Sequence, residues 1–158
     1  WPTELPYVPV DAAPNAMADE WSGDIGCGVK YFSQDAAIKL APRAGIALAE
    51  QLTPAEKLKE IQGLMEQGNP LAAAIYQSIG VYLGHTLAYY YDLYQCKNVL
   101  LLGRVMSGKG GDLILETCRK VLDAEYPELA GKILPALPDE AFRRVGQSVA
   151  AASLPAGK

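Results

Sequence analysis

The sequence predicts a helix-rich α/β fold, and three observations carry that prediction. Residues 53–94 repeat apolar side chains at helical spacing, and short apolar runs at 99–102 and 133–134 read as strands. A glycine-rich turn joins the first run to a further helical segment. At 158 residues the chain suits one domain spanning 1–158, since a chain of this size can bury roughly 70% of its unfolded surface.

The elements follow in order. Residues 1–22 carry Pro2, Pro6, Pro9 and Pro14, so they read as extended chain around one short strand near residues 5–10. Residues 33–40 turn helical through Ala36, Ala37, Ile38 and Leu40, and Pro42 stops them. Thr53-Pro-Ala-Glu56 is a capping box with proline at the first helical position. The helix it starts presents Leu58, Ile61, Leu64 and Met65 on one face and ends at Gly68. Asn69-Pro70 caps the next helix, which runs to about Tyr94 and is apolar on nearly every side from 71 to 91.

Such length raises the question of a membrane span, but Gln77, Ser78, His85 and Thr86 interrupt the run and no Lys/Arg cluster flanks it, so a buried central helix is expected. Gly80 and Gly84 leave a smooth stripe on it where another backbone can pack closely. After the strand at 99–102 come a helix at about 110–123, a short strand near 133–134, and a closing helix that begins at Pro138-Asp-Glu140. That last helix turns Phe142, Val145, Val149 and Ala152 inward, and Asp139, Glu140, Arg143 and Arg144 can pair across its solvated face.

Composition narrows the function. Half the residues are hydrophobic, and a net charge of −4 offers no basic field for nucleic acid, so direct DNA or RNA binding is not expected. Cys27, Cys96 and Cys118 are odd in number and form no CxxC pair, which suggests neither a disulfide framework nor a full zinc site and fits a cytoplasmic setting. Beginning at Trp1 with no leader-like segment, the chain reads as a piece of a longer protein.

The chemistry-bearing stretch is Asn98-Val-Leu-Leu-Leu-Gly-Arg-Val-Met-Ser-Gly-Lys-Gly-Gly-Asp112. Gly103, Gly108, Gly110 and Gly111 let backbone approach a ligand, and the following helix turns its free N–H groups toward the same place. Gly103 to Lys109 fits GxxxxGK, but Gly110 stands where a phosphate-wrapping loop needs Ser or Thr for magnesium. A different nucleotide-facing turn and a purely structural turn both stay open.

Two stretches resemble the C-terminal half of the ROK family (repressor, open reading frame, kinase), sugar kinases and regulators with an actin-like ATPase (ribonuclease H-like) fold. Gly26-Cys27-Gly-Val-Lys-Tyr31-Phe-Ser33-Gln-Asp-Ala-Ala-Ile38 resembles the family's GCLExxxSxxAI signature, and residues 79–154 follow its order of helix, LLLG strand, glycine turn and closing helix. The resemblance implies a nucleotide-binding subdomain taking ATP with magnesium, in which Gly103, Arg104, Gly108, Gly110 and Gly111 approach the nucleotide. Lys109 would meet phosphate as a point charge or stand as a solvated turn lysine.

On the sugar side the family's ExGH corresponds to Glu4-Leu5-Pro6-Tyr7, which keeps a substrate-binding carboxylate at Glu4 and puts Tyr7 at the histidine. The zinc knot CxCGxxGC becomes Glu20-Trp21-Ser22-Gly23-Asp24-Ile25-Gly26-Cys27, with one thiol, so no zinc is expected. Val29 stands at the family's second sugar-binding glutamate and cannot accept a hydrogen bond. The chain also lacks the family's N-terminal half, with its phosphate loop and catalytic aspartate. The isolated chain is therefore expected to be inactive, as one half of a sugar kinase cleft or, alternatively, a non-catalytic regulatory or dimerisation module.

Other candidates read as structure. His85 suits a helix flank, Cys96 and Cys118 suit small core positions, and no nucleophile–base pair involving Ser33 or Ser107 can be drawn. Tyr89, Tyr90, Tyr91 and Tyr94 cover successive helix faces, so some of them meet a surface or partner, and a homodimer would suit them.

Overall fold

The computed structural model describes residues 5–138. Those residues form α1 (Val29–Phe32), α2 (Gln34–Leu40), α3 (Pro54–Glu66), α4 (Pro70–Tyr94), strand β1 (Asn98–Leu100), α5 (Gly108–Glu125) and strand β2 (Leu134–Ala136). The architecture is helix-rich α/β with a small parallel sheet. In that sheet β1 pairs with β2 in the register Asn98 to Leu134, Val99 to Pro135 and Leu100 to Ala136, and α5 makes the crossover. Pro135 donates nothing to the ladder, which suits a sheet of two edge strands.

Local signals explain the helix starts. The Thr53 hydroxyl accepts from the Glu56 N–H at 3.3 Å while the Glu56 carboxylate accepts from the Thr53 N–H at 2.8 Å, a complete capping box. Asn69 Oδ1 accepts from Leu71 N–H at 2.8 Å at the head of α4, and the Ser33 hydroxyl accepts from Asp35 N–H at 3.2 Å at the head of α2. Helix α4 ends where Gln95 takes a left-handed conformation at φ 49°, which closes the last turn.

The core is organised around α4. Ile75, Ile79, Leu83 and Leu87 are buried at a spacing of four, and Ile114, Cys118 and Leu122 of α5 answer them at the same spacing. Gly80 and Gly84 lie between the two helices. A Cβ on Gly80 would stand 2.6 Å from Cβ of Thr117 and 2.8 Å from the Ile114 carbonyl oxygen, and one on Gly84 would stand 2.6 Å from Cβ of Val121. The expected smooth stripe is thus the seat of α5. Helix α4 is not buried all round, because Val81, Tyr82, Tyr89, Leu93 and Tyr94 stay exposed. Among the described residues no helix is long and apolar enough to cross a membrane.

Several expectations are corrected in detail. Residues 5–10 form no strand: Leu5–Tyr7 is a short 3₁₀ turn, and Pro9 makes only an isolated antiparallel bridge to Cys27. Pro6 and Pro9 lack the N–H groups that a ladder would need. Helix α5 starts at Gly108, two residues earlier than expected, and β2 sits slightly later than residues 133–134. The closing helix expected beyond Pro138 lies outside the described residues.

The two helices' contact generates a paired prediction. Gly80→Ala and Gly84→Ala should each lower stability by about 1–3 kcal/mol, the usual cost of forcing a methyl into a packed seam. Gly63→Ala, in α3 with nothing among the described residues within 4 Å of its new Cβ, should raise stability by about 0.5–1 kcal/mol through helix propensity. Urea unfolding of the three variants reads both signs.

Candidate functional site

A cavity of about 1100 Å³ opens between the N-terminal segment, the C-terminal half of α4 and the chain that follows β1. Its walls are apolar and aromatic, with Leu83, Leu87, Tyr90 and Tyr94 from α4, Val29 and Phe32 from α1, and Val99 to Leu102 from the strand and its extension. Ser33, Gln34, Asp35, Asn98 and Arg104 supply polar groups around this lining. A mostly apolar concavity with a few convergent polar groups is the usual form of a small-molecule site.

The glycine turn enters this cavity in part. Gly103 follows β1 with φ 120°, a conformation that side chains disfavour, and among the described residues nothing lies within 4 Å of the position its Cβ would take. Gly103 and Arg104 line the cavity directly. The turn is anchored from outside by Gln62, whose Nε2 donates to the Arg104 carbonyl at 2.9 Å.

The rest of the predicted cluster points elsewhere. Gly110 is packed under the Tyr76 ring and Gly111 against the Met106 carbonyl, so both are buried and the close approach they permit is made within the protein. Gly108 opens α5 beside the Glu66 carboxylate. Glu66 Oε1 accepts from Lys109 N–H at 3.1 Å, and Lys109 Nζ donates to the Glu66 carbonyl at 2.9 Å while pairing with its carboxylate at 3.6 Å. An internal carboxylate therefore stands at the α5 N-terminus, where an anionic ligand would otherwise sit. Lys109 is thus a solvent-exposed turn lysine, 61% exposed and resting on Glu66, and it does not line the cavity. Glu4 lies outside the described residues, although Leu5 and Pro6 line the cavity and Val29 forms part of its wall.

One cluster was not anticipated from sequence. Lys30, 2% exposed, donates to Asp35 at 2.8 Å and to Glu20, and lies 3.6 Å from Asp19. Burial pulls the Lys30 pKa down, but the bonds to Asp35 and Glu20 outweigh it and the net shift is upward. The Lys30 bond holds Glu20 below its ordinary range, and Asp19 is held low by the Ser22 N–H it accepts at 2.8 Å. This knot closes the loop that the family resemblance aligns with a zinc knot. Lys30 and Asp35 are five apart and sit in separate helices broken at Ser33, so no local spacing rule pairs them, and Asp19 and Glu20 reach Lys30 only once the loop folds back.

The thiols are quiet. Burial pushes Cys118 up to about 12 and raises Cys27 and Cys96 as well, so none offers a thiolate at neutral pH. His85 is an exposed flank residue, its Nδ1 2.9 Å from the Tyr126 hydroxyl. Among the described residues no group of three or more His, Cys, Asp or Glu side chains is placed to hold a metal. No protein-family model matches the chain, and no curated protein matches it.

Two predictions follow from this geometry. Lys30→Met should cost about 2 kcal/mol, the scale of a lost charged hydrogen bond. It should also flatten the acid limb of stability: carboxylates with lowered pKa contribute above their unfolded values and lose that contribution as pH falls through the folded values, and Glu20 owes its lowering first to Lys30. Melting temperature against pH from 2 to 7, in both proteins, measures the difference. Separately, the Tyr90 hydroxyl is buried without a hydrogen-bond partner among the described residues, so Tyr90→Phe should leave stability unchanged or raise it by up to about 1 kcal/mol, read by urea unfolding.

Proposed function

We propose that this chain is the nucleotide-binding C-terminal subdomain of a ROK-like sugar kinase with an actin-like fold, binding ATP with magnesium and contributing to phosphoryl transfer onto a sugar hydroxyl in the full-length protein. The observation that carries the proposal is the turn at Gly103 and Arg104, delivered by β1 to the mouth of the large cavity with open space where a side chain would stand. A planar base and ribose suit the tyrosine- and leucine-lined wall, and the Arg104 guanidinium suits a phosphate at its edge. Leu100 and Leu102 are exposed beside the cavity, as the rim of one half of a two-sided cleft would be. On this proposal the isolated chain binds nucleotide without turnover, because half a cleft cannot position both reactants.

A second function, a non-catalytic sensing or dimerisation module, is favoured by one specific observation. The α5 N-terminus is filled by Glu66 and Lys109 rather than left open to phosphate.

Calorimetric titration of ATP and ADP with magnesium separates the two. The kinase half-cleft predicts saturable binding that Gly103→Val abolishes in a folded variant, since valine would fill the open space at the turn. No binding to the folded wild type would favour the second function. Glu66→Ala adds a further readout: affinity for ATP should rise if phosphates reach α5, and should stay level if only base and ribose are held.

A further inference from the structure

A second cavity, about 480 Å³, opens on another side of α4, where Tyr82, His85 and Thr86 face away from the wall that Leu83, Leu87 and Tyr90 give to the first. We propose that this second cavity binds a small organic anion, a phosphate ester or carboxylate, with its anionic oxygens held by Lys39 and Arg43 and its carbon skeleton against Tyr31 and Tyr82. The proposal is independent of nucleotide binding, because none of the glycine-turn residues lines this cavity.

The argument rests on charge and on what is already satisfied. Lys39 near the end of α2 and Arg43 one turn later bring two cations to one concavity in a chain of net charge −4. Among the described residues neither is within salt-bridge distance of a carboxylate: the ion pairs there belong to Lys30, Lys109 and Lys120. Lys39 Nζ lies 5.5 Å above the Tyr31 ring, so an aromatic face and not an acid holds the ammonium at the cavity wall.

The one acid in the lining is engaged. Asp11 accepts from the Tyr31 hydroxyl and, at 2.8 Å, from the Ala13 N–H, and these bonds hold its pKa low. Lys30, which also lines the cavity, is neutralised by its own carboxylates. Asp11 keeps its negative charge and Lys39 acts on it through space, so with Lys30 set aside among its own carboxylates, Lys39 and Arg43 leave an excess of one positive charge over Asp11 in the lining.

The remaining walls suit an organic ligand better than a bare ion. Tyr31 and Tyr82 meet edge to face with centroids 6.4 Å apart and interplanar angle 79°, and Tyr82 is 39% exposed, which leaves its ring free for contact. The Thr86 hydroxyl and Asn15 amide offer further hydrogen bonds at the rim. The arginine supplies a planar fork for two oxygens and the lysine a point charge.

The test uses the chain as it stands. Amide resonances are followed by NMR while inorganic phosphate, a hexose phosphate and succinate are each titrated at low ionic strength. Expected is saturable perturbation confined to residues around Lys39, Arg43 and Tyr82, with the hexose phosphate or succinate binding more tightly than inorganic phosphate. The relative affinity of those two says whether the natural ligand is an ester or a carboxylate. Arg43→Gln, at an exposed position and so not expected to disturb folding, should weaken binding about tenfold or more, and the double variant with Lys39→Gln should abolish it. Absence of saturable perturbation with all three probes, or equal affinity in a double variant of unchanged melting temperature, overturns the proposal.

Discussion

The structure depends on the contact that Gly80 and Gly84 allow between α4 and α5. With no side chain at either position, the backbone of α4 lies directly on Thr117, Val121 and the carbonyls of Ile114 and Cys118. Helix α5 is also the crossover between β1 and β2, so seating it against α4 fixes the small sheet relative to the longest helix. Gly103 leaves β1 at the end of that chain of constraints. The position of the turn at the cavity mouth is thus set by two residues some twenty positions earlier, and a methyl group between the helices would be felt at the site as well as in the core.

The N-terminal segment is held by a different kind of interaction. Residues 8–28 contain no regular strand and rely on scattered backbone bonds, such as Val10 N–H to the Gly26 carbonyl at 2.8 Å and Gly26 N–H to the Met17 carbonyl at 2.8 Å. Lys30, joined to Asp19 and Glu20 on one side and to Asp35 on the other, ties this loop to the helices, as does the Tyr31 hydroxyl, which donates to Asp11. A buried ammonium with several carboxylate partners does the geometric work that a metal cross-link does elsewhere, closing a short loop against a helix. Asp35 lines the large cavity while Lys30 lines the smaller one, so this ion pair forms part of the partition between them.

Legibility followed locality. Capping signals at Thr53, Glu56 and Asn69 act over three residues and were read correctly, as was the long α4, because each depends only on neighbours in sequence. The pairing of Gly80 and Gly84 with a second backbone was also legible, since small residues four apart have few other uses. The 3₁₀ turn at Leu5–Tyr7 was not, because the proline-rich stretch read as extended chain with a short strand where the prolines removed the donors. Glycine content alone likewise could not say which glycines face a ligand. Gly103 faces open space, whereas Gly110 and Gly111 face Tyr76 and Met106, and only tertiary packing distinguishes them. The Lys30 knot depended on a loop whose path no local rule specifies.

The division of the glycine segment bears on what the large cavity can recognise. Of the formally charged groups in its lining, Asp35 is already paired with Lys30, which leaves Arg104 as the free charge. The second cation of the segment, Lys109, is turned toward Glu66, and its own N–H at the head of α5 meets that same carboxylate. Recognition by this cavity must therefore come chiefly from shape and apolar contact, with one guanidinium to orient an anionic tail. That inventory suits the base and sugar of a nucleotide and is poor for a triphosphate, whose transfer demands several cations converging on the same oxygens. Under the proposed function, the groups that neutralise the transferred phosphate belong to the opposing half of the cleft, and this half supplies the wall against which the nucleotide is aligned.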